Sequence, residues 1–198
     1  LLQFKNLNIY LLSYDNNKNL VQTPTFIKTN LQNYLNQFRI ISDDIELRDG
    51  VVVNFGVKFV VVARENVNKS ELKLKCIDAI VDYFKVENMK FNQVIYSGDL
   101  ENLLYGIKGV KVVKKLELTQ DANELGLTSH IYTTGGPTNG VSGELPSTYG
   151  WGYPFEDFYS GNGVENNGYG VILPPHVEST PGVFELKNPY DNVKGIVE

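Results

Sequence analysis

The feature that most constrains the fold is a run over residues 51–63 in which Val51, Val53, Phe55, Val57, Phe59 and Val61 alternate with their neighbours. Side chains of an extended chain point alternately to opposite faces, and β-branched residues suit a pleated surface, so period two over this length specifies a strand. The alternation predicts a half-buried antiparallel strand. Asp49-Gly50, just ahead of it, is a two-residue hairpin signal that would fold Ile45-Glu46-Leu47 back against the run.

Around this strand, residues 8–118 read as one α+β core domain. Residues 8–14 form a first strand, and Asp15, Asn16 and Asn17 supply turn chemistry. Thr23 and Pro24 suit the N-cap and first position of a helix. Along that helix Ile27, Leu31, Tyr34, Leu35 and Phe38 share a face and should pack on a sheet, leaving Lys28, Gln32 and Asn36 toward solvent. A second helix opens at Asn68, with Glu71 placed for a capping box and an apolar stripe of Leu72, Cys76, Ile80 and Phe84. A short helix over residues 99–105, breaks at Gly106 and Gly109, and a strand over residues 110–118 complete a β-α-β-β-α-α-β order. The expected fold class is α+β: a small mixed or antiparallel sheet with two main helices packed on one face. Leu1 in place of a methionine suggests that residues 1–7 connect to upstream domains. Residues 182–198 form a C-terminal strand and tail. Val183-Phe184-Glu185-Leu186 alternates, residues 188–192 read as a turn, and Val193 begins a short apolar end that returns to the sheet or pairs with a partner.

Residues 119–181 obey different physics. They hold eleven of the glycines, six of the eight prolines, both histidines, the only tryptophan and no Lys or Arg. Their seven acids leave 16 acids against 18 bases elsewhere, so the remainder carries about +2 within a chain of net charge −5. Disordered segments are poor in aromatics, yet Tyr132, Tyr149, Trp151, Tyr153, Phe155, Phe158, Tyr159 and Tyr169 stand here. The stretch is therefore expected to be a long irregular insertion, rich in Gly, Pro and aromatic residues, that docks on another surface. Trp151, Tyr153, Phe155, Phe158 and Tyr159 are the candidate interface residues: at ~150 Å² or more apiece, five rings supply roughly the ~800 Å² per side of a specific interface.

Catalytic and ligand-binding patterns fare less well. A sequence pI near 5.1 argues against nucleic acid as a partner, because phosphate-backbone binding needs clustered bases. One cysteine, Cys76, allows neither an intramolecular disulfide nor a Cys-based metal site, and on a helical stripe it reads as a small core hydrophobe. Asp15, Asn17 and Asn19 mimic the start of a calcium loop, but Leu20 and Phe26 occupy the positions that require Gly and Glu, which favours a hairpin turn. His130 and His176, the latter near Glu178, lack zinc-ligand spacing. The Gly161/Gly163 and Gly168/Gly170 pairs lack the strand and helix that make a phosphate cradle. Asn68-Lys69-Ser70 is a glycosylation sequon that matters only on secretion, for which no signal peptide is apparent; no membrane insertion is expected. Catalytic residues, metal and cofactors are accordingly expected to be none. The alternative from a different class is a carbohydrate-binding or glycoside-cleaving module acting on the host envelope, with Glu156 and Asp157 as the acids beside Trp151 and Tyr153.

Particular stretches carry a family resemblance: Val21-Gln22-Thr23-Pro24-Thr25 leading into Leu31-Gln32-Asn33-Tyr34-Leu35-Asn36-Gln37-Phe38-Arg39, then Asp49-Gly50 and Val53-Asn54-Phe55-Gly56-Val57. Leu74-Lys75-Cys76-Ile77-Asp78-Ala79-Ile80, Gly109-Val110-Lys111-Val112-Val113 and Gly182-Val183-Phe184-Glu185-Leu186-Lys187-Asn188-Pro189 continue it. In this order they resemble the C-terminal region of J-like baseplate wedge proteins of contractile-tailed bacteriophages, over nearly all of the chain except residues 119–181. The resemblance implies a non-enzymatic structural protein of the virion tail baseplate, assembled in the host cytoplasm. It would associate with further copies of itself and with other wedge and hub-proximal tail proteins, and help build a ring around the tail hub. The acidic aromatic insertion departs from the family pattern.

Overall fold

The computed structural model describes residues 5–38, 43–119, 171–172, 176–177 and 180–198. The central element is the strand foretold by the alternating run, in two parts: β5 (Val51–Asn54) and β6 (Gly56–Ala63). β6 is the middle of a mixed three-stranded sheet. It pairs antiparallel with β8 (Val110–Thr119), from Gly56 opposite Thr119 to Ala63 opposite Val110, and parallel with β12 (Val193–Val197), from Val193 beside Val57 to Val197 beside Val61. The C-terminal segment thus returns to the sheet.

One face of that sheet presents Val57, Phe59 and Val61, all buried beneath α2 (Lys69–Tyr83) and α3 (Ser97–Tyr105). The stripe Leu72, Cys76, Ile80 and Phe84 lies in this core as its spacing predicts, joined by Ile77, Leu100 and Leu104. Phe55 meets Phe84 edge-on at 4.9 Å and Phe184 at 6.0 Å, the tilted geometry that aromatic quadrupoles favour. Asn68 caps α2 by accepting from the Ser70 and Glu71 amides, but Glu71 turns to Lys75 at 2.6 Å, so the box is a single cap. Gly109, at φ +117°, turns the chain into β8. The fold is α+β, as expected, with two helices on one face of a small mixed sheet.

Asp49-Gly50 is not a hairpin. The chain runs straight through Gly50 from β4 (Asp43–Asp49) into β5, and both take parallel neighbours from distant parts of the sequence. β4 pairs with β1 (Lys5–Leu11), and β5 pairs with β11 (Thr180–Glu185), Gly182 beside Val51 through Glu185 beside Asn54. The Gly50 amide donates to Leu11 O at 3.0 Å, carrying the ladder across the junction. The glycine allows a close approach there: a Cβ would lie 2.4 Å from the ring of Phe91, an exposed side chain that would have to shift. Nor is the run half-buried throughout, since β5 is covered on both faces. Val53 faces the main core, and Val52 packs with Leu20 and Val183 in a second, smaller cluster.

The first predicted strand divides into β1 and β2 (Ser13–Tyr14), and β2 forms a hairpin with β3 (Leu20–Val21). Asp15 closes its turn by accepting from the Asn17 and Asn19 amides, both at 2.8 Å, and these bonds, led by the one from the Asn19 side chain, hold its carboxyl below the ordinary range. Two short strands fall within the stretch expected to be irregular, and β11 begins at its end. β7 (Ile95–Tyr96) pairs with β9 (Val171–Ile172), and β10 (His176–Val177) pairs with the start of β11. The turn expected over residues 188–192 is a one-turn helix, α4 (Pro189–Asn192), opened by Asn188 in the left-handed region at φ 47°.

Candidate functional site

The helix after Pro24, α1 (Thr25–Leu35), lies along the β1–β4 pair. Thr23 does not cap it, because its hydroxyl accepts from Ser13 Oγ at 3.0 Å; Pro24 takes the N-cap position with no side-chain bond. The Asp49 carboxylate fixes the entry instead, accepting from the Thr23 amide at 3.1 Å and from Lys28 Nζ at 2.7 Å. One turn on, Gln32 Nε2 donates to Ile45 O at 3.1 Å. Lys28, Leu31, Gln32 and Leu35 are therefore the half-buried, inward side, at the i, i+3, i+4, i+7 spacing of one helical face.

This reverses the orientation expected for Lys28 and Gln32. The sequence stripe is real, but two polar partners on β4 rotate the helix so that Ile27, Tyr34 and Phe38, with Phe26, point outward. No residue of α1 is buried. Phe26 is 67% exposed, Tyr34 58%, Phe38 68% and Ile27 40%, and the Tyr34 and Phe38 rings lean together at 5.0 Å. Beneath the helix, Ile45 alone of the described β1 and β4 side chains is buried, and Leu7 is exposed. The opposite side of the pair carries exposed Asn8, Asp44, Glu46 and Arg48.

A second local arrangement is polar and internal. Glu185 and Asn54 are neighbours in the β5–β11 register and so share a face; both are buried. Glu185 Oε1 accepts from the Leu20 amide at 2.6 Å, and Oε2 accepts from Asn54 Nδ2 at 2.7 Å. Burial pushes this carboxyl above its ordinary value, opposed by these two hydrogen bonds. The carboxylate ties the β2–β3 hairpin to the sheet. Beside that hairpin, a cleft of about 520 Å³ is lined by Tyr14, Lys18, Lys85, Val86 and Glu87. Lys85 is held by Asp82 at 2.8 Å and neighbours Glu87, so the cleft has no uniform charge to select an anion.

Of the residues singled out in the sequence, Cys76 is in the core, where burial raises its thiol to about 11 and keeps it protonated. Trp151, Tyr153, Phe155, Phe158 and Tyr159 lie outside the described residues, as do Glu156, Asp157, His130 and Glu178. Among the described residues no group of three or more His, Cys, Asp or Glu side chains could hold a metal ion, and no helix is long and apolar enough to cross a membrane. The outer face of α1 was missed by sequence reasoning. Its signal was present: apolar side chains from Phe26 through Leu35 cover about half the helix circumference, more than one sheet contact needs.

No family model matches this chain, and no curated protein does.

Proposed function

We propose that this chain is a non-catalytic structural component of a phage tail baseplate wedge, mediating self-association and ring assembly around the tail hub. The ordered motifs that resemble J-like wedge proteins support the phage setting. The observation that carries the assembly role is the distribution of exposed apolar side chains. Of the thirteen large hydrophobic residues exposed among the described residues, six (Leu7, Tyr14, Phe26, Ile27, Tyr34 and Phe38) belong to the first 38 positions. Scattered apolar surface residues are ordinary, but a concentration of aromatic rings on one helix marks a surface that another protein covers. The β1–β4 pair points the same way, because parallel strands normally have both faces covered.

Antibody raised against the purified chain and applied to intact virions in electron microscopy tests this. Label at the distal end of the contractile tail is the expected result, and particles without label would contradict it.

A further inference from the structure

We propose that the outward face of α1 packs against the same face of a second copy of this chain, as an antiparallel helix pair about a two-fold axis; the biological setting, though not the geometry, rests on the assembly role above.

The occupant is chosen by charge, area and spacing. Between Thr25 and Phe38 the only charged side chain is Lys28, and it turns inward onto Asp49 at 2.7 Å. The outer face is therefore apolar and amide-bearing without charge: Phe26, Ile27, Tyr34 and Phe38 flanked by exposed Asn30, Asn33 and Gln37. A basic or acidic partner finds nothing to pair with here. A second copy meets no like charge, and a two-fold interface requires that kind of self-complementary patch.

The open parts of the three rings and Ile27 amount to roughly 450 Å², more than half of the ~800 Å² per partner typical of a specific interface, and Asn33 and Gln37 form a polar rim for the rest. Phe26, Asn30 and Tyr34 recur every four residues, so they form one ridge along the helix, which Phe38, in the turn after Leu35, extends by leaning on Tyr34 at 5.0 Å. With the axis passing at Asn30, Phe26 of one copy faces Tyr34 of the other. The two Asn30 amides then meet at the crossing, where each can donate to and accept from its mate and so fix the register.

Sedimentation equilibrium of the full chain, from micromolar to sub-millimolar concentration, tests this. The wild type is expected to dimerise. Phe26→Lys and Tyr34→Glu should each weaken association by more than about tenfold while leaving circular dichroism unchanged, since both side chains are exposed. An equimolar mixture of these two variants should form a heterodimer, because the new ammonium then faces the new carboxylate. Tyr190→Lys, an exposed site on α4, should dimerise like the wild type. A wild type monomeric throughout, single variants that still dimerise, or a mixture that stays monomeric would each overturn the proposal. A monomeric wild type from a chain that labels virions would leave the baseplate role standing and reject this contact; a dimer from a chain that labels no virion would do the reverse.

Discussion

α1 on β4 and α2 on the β6 sheet are the same construction, an amphipathic helix laid on strands, with opposite outcomes. α2 buries Leu72, Cys76, Ile77 and Ile80, whereas the inward side of α1 is no more than half-buried. The difference lies in what each rests upon. β6 has a hydrogen-bonded neighbour on each side and offers α2 the apolar row Val57, Phe59 and Val61. β1 and β4 are a two-stranded parallel pair, too narrow to cover a helix, and α1 is held to it by Lys28–Asp49 and Gln32–Ile45 as much as by apolar contact. Helical periodicity determines that a stripe exists; the width and polarity of the support determine how much of it disappears. The α2 region is covered within one chain, whereas the α1 region leaves an exposed apolar face, the one we propose a second copy covers.

The largest expected difference follows directly. Phe59→Ala empties a site in the α2 core and should cost about 3–5 kcal/mol in denaturant unfolding. Phe26→Ala on the outer face of α1 should change the stability of the monomer by less than ~0.5 kcal/mol. Comparable losses at the two rings would erase the contrast between the regions.

Next in size is Gly195→Ala. Gly195 is paired with Phe59 across β6 and β12, and a Cβ there would lie 2.1 Å from that ring, which is buried and cannot swing away. Overpacking of this kind should cost about 1–3 kcal/mol and lower the unfolding midpoint. An unchanged midpoint would mean that the core around Phe59 is looser than the burial of its residues implies.

Smaller again is the effect of Glu185→Ala, which strands the Leu20 amide and leaves Asn54 Nδ2 only its bond to the Glu185 backbone carbonyl among those it makes to this residue, and should cost about 1–2 kcal/mol. Its pH dependence is separable with Glu185→Gln. Burial raises the carboxyl above its ordinary 4.5, so folding favours the protonated form. Relative to Glu185→Gln, the wild type keeps its full stability below pH 4.5 and loses it as pH climbs through the raised folded-state value. A difference that does not change with pH would show that the carboxyl is not desolvated.

These positions also mark what the sequence made legible. The α2 stripe was readable because i, i+4 spacing and a single covering sheet agree. Asp49-Gly50 was misread because a local turn signal contains no information about strands arriving from far along the chain, here β1 and β11; the unbroken Val51-Val52-Val53 was the contrary sign, since a strand apolar on both sides is a central one. Glu185, between Phe184 and Leu186, reads as the outward residue of an alternating strand. Only the β5–β11 register and the arrival of Leu20 turn its side into an interior. For α1 the face could be counted from the sequence, but its direction was set by Asp49 and the Ile45 carbonyl, which periodicity cannot supply.

Amide hydrogen exchange followed as a function of protein concentration tests the contrast most directly. The account predicts that amides of α1 (Thr25–Leu35) exchange quickly in dilute solution and gain protection as concentration rises, while those of α2 and β6 stay slow and unchanged. Protection of α1 that equals that of α2 at every concentration would contradict it.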